Sequence, residues 1–136
     1  MAASVLVDAS FLVALLNSRD ANHDWARAQS QLYASPWRSC DSALAEAFHL
    51  LGQRGARGLA DILGRRAVIP AFDLGAEIDN VLRLMRRFAD VPMSLADACL
   101  VRMTEVLPEP TLLTTDLDFH IYRRHTRLAV PCVTPA

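Results

Sequence analysis

Four acidic side chains each end or interrupt an apolar segment, and the chain contains no lysine to pair with them. Asp8 closes Val5-Leu6-Val7, Glu46 lies within Ala43 to Phe48, Asp97 lies within Leu95 to Leu100, and Asp116 follows Leu112-Leu113-Thr114-Thr115. Burying an unpaired carboxylate is costly, so four at the borders of a core call for a shared cation that keeps them ionised. Carboxylate oxygens suit a hard divalent ion, Mg²⁺ or Mn²⁺, and such an ion can activate a water molecule.

The elements that must position these acids follow from local pattern. Ser4 to Asp8 reads as a short buried strand, and the apolar run Phe11 to Leu16 behind Ser10, a candidate N-cap, reads as a helix. A second helix is expected from about Asn22 to Tyr33, with Trp25, Ala28 and Leu32 on one face, closed by Pro36. Trp37 to Cys40 reads as a strand. Asp41 or Ser42 caps a third helix running to about Gln53, and Gly52, Gly55 and Gly58 mark its end and a turn into a fourth, Leu59 to Arg66. Val68 to Pro70 reads as an edge strand. Leu74 to Phe88 carries Ile78, Val81, Leu82 and Met85 inward and Arg83, Arg86 and Arg87 outward at helical spacing. Ser94 opens a helix to about Val106, Thr111 to Thr114 forms a strand, and a last strand falls near Leu128 to Val133. Short strands separated by helices predict an α/β fold, a mostly parallel sheet with helices on both faces.

In such sheets ligands bind beyond the carboxyl ends of the strands, where this reading puts Asp8 and Asp116. Glu46 and Asp97 are expected to emerge from largely apolar helix faces. Each acid also has a purely architectural explanation. Asp97 stands three residues after Ser94, the spacing of a capping box, Asp116 could cap a short helix through Tyr122, and Asp8 could start a turn. Glu46 has no such partner three residues before it.

Length and composition bound the rest. With 136 residues, 52% of them hydrophobic, the chain suits one domain, 1–136, with a proper core. Its only early apolar run is too short to span a bilayer and lacks a basic leader, so a soluble, cytoplasmic protein with no membrane association is expected. Cys40, Cys99 and Cys132 form no paired motif, which argues against a disulfide framework or a zinc site. Removing the five carboxylates Asp8, Glu46, Asp97, Asp116 and Asp118 from a net charge of −1 leaves +4 on the remainder, all 14 basic residues being arginine. An arginine-only basic set suits a polyanionic partner, although a GC-rich genome gives the same bias and is the weightier explanation. Arg54, Arg57, Arg65 and Arg66 read as a charged helix face more than as a phosphate-binding stripe.

The run Val-Leu-Val-Asp8-Ala-Ser10 before an apolar helix, the Ser42-Ala-Leu-Ala-Glu46 helix start, Ser94-Leu-Ala-Asp97-Ala, and Thr114-Thr-Asp116-Leu-Asp118-Phe119 resemble, in order, the acidic motifs of the PIN domain. They span nearly the whole chain, whose size resembles that of VapC-type toxin ribonucleases. The resemblance implies a PIN-like domain in which Asp8, Glu46, Asp97 and Asp116 hold Mg²⁺ or Mn²⁺ and catalyse hydrolysis of RNA phosphodiesters by an activated water. Asp118 is a further metal ligand that shares the role of Asp116. By the same resemblance Ser10 and Thr114 serve as polar supports. Arg123, Arg124 and Arg127, beside His120 and His125 near the fourth acid, could contact the RNA backbone, although such a cluster is more often a solvated surface. The resemblance also implies a small antitoxin protein as partner, and apolar helix faces in excess of one core suggest a homodimer. The alternatives are a housekeeping PIN ribonuclease without an antitoxin and a noncatalytic PIN-fold binding module. Phosphoaspartate enzymes, which also place an acid after the first strand, are disfavoured because they need a lysine near the phosphate.

Overall fold

The computed structural model describes residues 2–136. Five strands build a parallel sheet: β1 (Ser4–Val7), β2 (Trp37–Ser39), β3 (Val68–Pro70), β4 (Pro110–Leu113) and, near the C-terminus, β7 (Cys132–Val133), in the spatial order β3-β2-β1-β4-β7. Every neighbouring pair is parallel, with Val7 opposite Leu113 in the central pair and Pro70 of β3 opposite Ser39 at one edge. Strand order reverses between β1 and β4, which makes their carboxyl ends the switch point where ligands of open α/β sheets bind.

Five helices cover the two faces: α1 (Ala9–Leu16), α2 (His23–Leu32), α3 (Asp41–Gly64), α4 (Leu74–Arg87) and α5 (Leu95–Val106). Because side chains alternate along a strand, Leu6 and Leu112 join Val81, Val101, Met103, Phe119 and Tyr122 under α4 and α5. Val7 and Leu113 join Phe11, Leu12, Trp37 and Leu59 under α1 to α3. Phe11 packs edge-on against Trp25 and Trp37, and the Trp37 indole N–H donates to the Tyr33 carbonyl. After β4 a 3₁₀ helix (Leu117–His120) leads into a small antiparallel ribbon, β5 (Arg123–Arg124) with β6 (Leu128–Ala129).

Several expectations are corrected in detail. The cap of α1 is Asp8, not Ser10, because the Asp8 carboxylate takes the Ala9 N–H at 2.7 Å. On α2 the buried residue is Ala26, whereas Ala28 and Leu32 are exposed, Leu32 by 74%. The expected break between the third and fourth helices falls at Gly52 alone. The chain runs from Asp41 to Gly64 with one break at Gly52 (φ 68°, ψ −174°), and Gly55 and Gly58 lie inside the helical run. On α4 the inward residues are Val81 and Leu84, while Ile78 and Leu82 are 39% and 40% exposed. The expected last strand is two: β6 pairs with β5, and β7 joins the sheet beside β4.

Gly52 adopts a backbone conformation reserved almost entirely for glycine, and a Cβ there would meet no atom within 4 Å. The cost of Gly52→Ala is therefore backbone strain alone. Denaturant unfolding should show it less stable by about 1–3 kcal/mol, with an unchanged m-value.

Candidate active site

Asp8 sits where β1 ends and α1 begins, 5% exposed. Its Oδ1 caps the helix through Ala9 N–H, and its Oδ2 accepts from Ser10 Oγ at 3.0 Å and from Thr114 Oγ1 at 2.8 Å. The two hydroxyls are 3.1 Å apart, and each takes a backbone N–H in return. Thr115 N–H donates to Ser10 Oγ, and Asp116 N–H donates to Thr114 Oγ1, both at 3.0 Å. One polar network thus ties the turn after β1 to the turn after β4. Ser39, at the end of β2, donates to the Val7 carbonyl at 2.8 Å and fixes the strand that carries Asp8.

Asp97 enters from α5 on the other face of the sheet. The capping box with Ser94 is present, Asp97 N–H donating to Ser94 Oγ and Ser94 N–H to Asp97 Oδ2. The same Oδ2 accepts from the Tyr122 hydroxyl at 3.0 Å. Asp116 caps the 3₁₀ helix by accepting Asp118 N–H at 2.9 Å. Both architectural roles expected from spacing are therefore real, and both acids still lie beside Asp8. Sequence reading missed Tyr122, whose ring is fully buried between Phe88 and Phe119. A buried tyrosine needs a partner for its hydroxyl, but nothing in the local pattern names an acid 25 residues earlier.

The charges of these acids reach one another. Burial, reinforced by the nearby Asp97 charge and opposed by the Thr114 and Ser10 hydroxyls, raises the Asp8 carboxyl to about 6. Burial likewise raises Asp97, with the Asp116 charge adding to it and the Ser94 and Tyr122 hydrogen bonds opposing. Tyr122 is raised by burial and by Asp97, Asp118 and Asp116. Among the described residues no arginine forms an ion pair with any of these carboxylates.

An all-oxygen donor set of crowded, uncompensated carboxylates fits Mg²⁺ or Mn²⁺, and Mg²⁺ commonly binds through one or two carboxylates while keeping several waters. Asp8, Asp97 and Asp116 would hold it. As the side chains stand, each is turned to its own hydrogen bonds, and among the described residues no three His, Cys, Asp or Glu side chains converge tightly enough to hold an ion directly.

Other expected site residues stand apart. Glu46 lies on the exposed stripe of α3 with His49 and Leu50, not on an apolar face, and among the described residues no hydrogen bond or ion pair ties it to the other acids. Arg123 folds back on the carbonyls of His120, Ile121 and Tyr122, and Arg124 donates to the Thr104 carbonyl at 2.6 Å, so both guanidinium groups brace the chain around the ribbon. His120 meets Thr134, and Arg65 pairs with Asp61 along α3.

No protein-family model and no curated protein sequence matches the chain. A search of solved structures does find a likeness. The chain superimposes on the crystal structure of the Mycobacterium tuberculosis toxin VapC20, a sarcin-ricin loop cleaving toxin, with a TM-score of 0.70 and 24% identity over 85% of this chain and 92% of that one. The fold is PIN-like. Asp8 and Asp116 follow the adjacent central strands β1 and β4, and the charge of Asp97 reaches Asp8 while that of Asp116 reaches Asp97.

Because the Asp8 carboxyl is raised in the fold, the native state favours its protonated form. That stability is present below the unfolded value near 3.8 and lost as pH rises through about 6. Relative to Asp8→Asn, the metal-free wild type should therefore gain up to about 3 kcal/mol between pH 7.5 and pH 4, read from denaturant melts in EDTA. At pH 7.5 Asp8→Asn should melt no lower than wild type, since asparagine keeps the cap. A marked loss would mean that the charge itself holds the turn.

Proposed function

We propose that the protein is a divalent-metal-dependent endoribonuclease of the VapC toxin type. The observation that carries this reading is the gathering of Asp8, Asp97 and Asp116, with no basic partner, at the switch point of a PIN-like sheet. The likeness to VapC20 supports it independently of the site. Mg²⁺ or Mn²⁺, when bound, supplies an activated water and neutralises charge developing on the phosphodiester.

The chain's own groups prepare that site. Ser10 and Thr114 fix the orientation of the Asp8 carboxylate, and the backbone N–H groups of Thr115 and Asp116 fix the hydroxyls. Tyr122 and Ser94 hold Asp97 against the repulsion of its neighbours. Asp8, Asp97 and Asp116 would hold the ion, whose charge would offset their own beside the phosphate. Glu46, exposed on α3, joins from the rim, and Asp118 acts beside Asp116. Since no 2′-hydroxyl attack is needed, the products carry a 5′-phosphate and a 3′-hydroxyl. Ile78 and Leu82, half exposed on α4, fit a homodimer contact.

Purified protein should cleave RNA, the sarcin-ricin loop among the first substrates to try, with Mg²⁺ or Mn²⁺ and stop in EDTA. Full-rate cleavage in EDTA, or products ending in 2′,3′-cyclic phosphate, contradicts the reading. A neighbouring small antitoxin protein should relieve toxicity on expression in a bacterial host, and harmless expression of active enzyme would favour a housekeeping ribonuclease.

Asp116 is anchored through its own N–H to Thr114 Oγ1 at the strand's end, whereas Asp118 lies within the 3₁₀ turn. Ligands held by rigid elements keep geometry better. Asp116→Asn should therefore cost more cleavage rate than Asp118→Asn at saturating Mn²⁺, and the reverse order would exchange their roles.

A further inference from the structure

Between α4, the C-terminal half of α5 and the β5–β6 turn lies a second concavity, a cavity of about 290 Å³ that shares no residue with the carboxylate cluster. Arg83 and Arg87, one helical turn apart on α4, line it from one side. Among the described residues Arg83 hydrogen-bonds only Asn80, at 2.9 Å, Arg87 lies over the Phe88 ring, and neither pairs with a carboxylate. Like charges at this spacing repel unless an anion lies between them.

The opposite wall is built rigidly. Arg102 on α5 is clamped by Glu77 at 2.6 and 3.3 Å and by Glu105 at 3.1 Å. Glu105 also takes the His125 backbone N–H at 2.6 Å, which holds the turn against α5. His125 and Thr126 both adopt left-handed backbone conformations, φ 47° and 77°, rare for any residue with a Cβ and rarest for a β-branched one. Arg124 Nη2 lies 3.2 Å from His125 Nε2, which assigns that nitrogen as the acceptor and leaves the proton on Nδ1. The Arg124 Nε is buried without a partner. The cavity lining therefore holds Arg83, Arg87 and Arg102 against Glu105, and even with Glu77 counted for its pairing with Arg102 a positive charge is left over.

We infer that this cavity is a phosphate-binding subsite for the RNA strand, taking a backbone phosphodiester between Arg83, Arg87 and the His125–Thr126 turn. The inference rests on the ribonuclease reading for the identity of its ligand. Arg102 and Glu105 follow Asp97 by roughly 8 and 12 Å along the α5 axis, so the cavity lies within reach of one RNA strand that also occupies the carboxylates. Arginine forks suit this role because they bind phosphate oxygens in pairs.

The test is RNA binding without turnover. A fluorescent single-stranded RNA is titrated in EDTA against the Asp8→Asn protein, with and without Arg83→Gln and Arg87→Gln together, over a range of salt. Arg54→Gln with Arg57→Gln, an equal change of charge on α3, is the control. The subsite predicts an affinity loss of at least about tenfold for the α4 pair and little for the control. It also predicts a slope of log affinity against log salt shallower by about 0.7, the value for one phosphate no longer neutralised. In amide NMR, inorganic phosphate should shift His125 and Thr126 in the parent and not in the α4 variant. Equal RNA affinity and slope in parent and α4 variant overturns the inference, as does an equal loss in the control. Phosphate shifts without any RNA effect also overturn it, since the anion is then not the substrate's. Because no step of this assay needs cleavage, Arg83-dependent RNA binding by a protein that never cleaves RNA would keep the subsite and refute the ribonuclease reading instead.

Discussion

The buried carboxylate of Asp8 is the interaction on which the site depends. It caps α1 and accepts two hydroxyls, one from its own turn and one from the strand beside it, so it joins β1, α1 and β4 in a single polar node. A node of this kind would be cheaper as a neutral asparagine, because burial and the Asp97 charge raise the acid to about 6. A buried charge where an amide would cap equally well is the feature from which the proposed cation site is argued.

The sheet converts that node into a cleft. The reversal of strand order between β1 and β4 opens the carboxyl edge at its centre, and α5 brings Asp97 across from the opposite face. Tyr122 then links the packing under α4 and α5 to the chemistry, since its ring lies among Phe88 and Phe119 while its hydroxyl holds Asp97. Positioning and packing are one structure here: Ser94, Asp97 and Asp116 cap helices with the groups whose charges and hydroxyls also surround the site.

Much of this was legible in the sequence because it rests on short-range rules. A carboxylate after a β-strand run and a Ser94–Asp97 capping box are local statements, and the structure has both. Contacts across the chain were not legible. The Tyr122–Asp97 hydrogen bond, and the use of Arg123 and Arg124 on carbonyls of their own ribbon, depend on how the last segments fold over α5. Glu46 misled through its helical neighbours: Ala43 and Leu50 read as an apolar face, yet Leu50 and His49 are exposed, so the stripe Glu46 shares with them faces solvent. Likewise Gly55 and Gly58 looked like helix breakers, but only Gly52 adopts a backbone that a helix cannot contain.

Divalent-cation binding at the Asp8 cluster is the proposal on which the rest depends. Calorimetric titration of Mn²⁺ into the protein at pH 6, repeated in two buffers of different ionisation enthalpy, tests it most directly because it counts protons as well as heat. Near its raised value Asp8 is half protonated, so binding should release about half a proton per ion from this residue, and Asp8→Asn should lose that release along with most of the affinity. Mn²⁺ binding without proton release, or with equal strength in Asp8→Asn, would contradict the account.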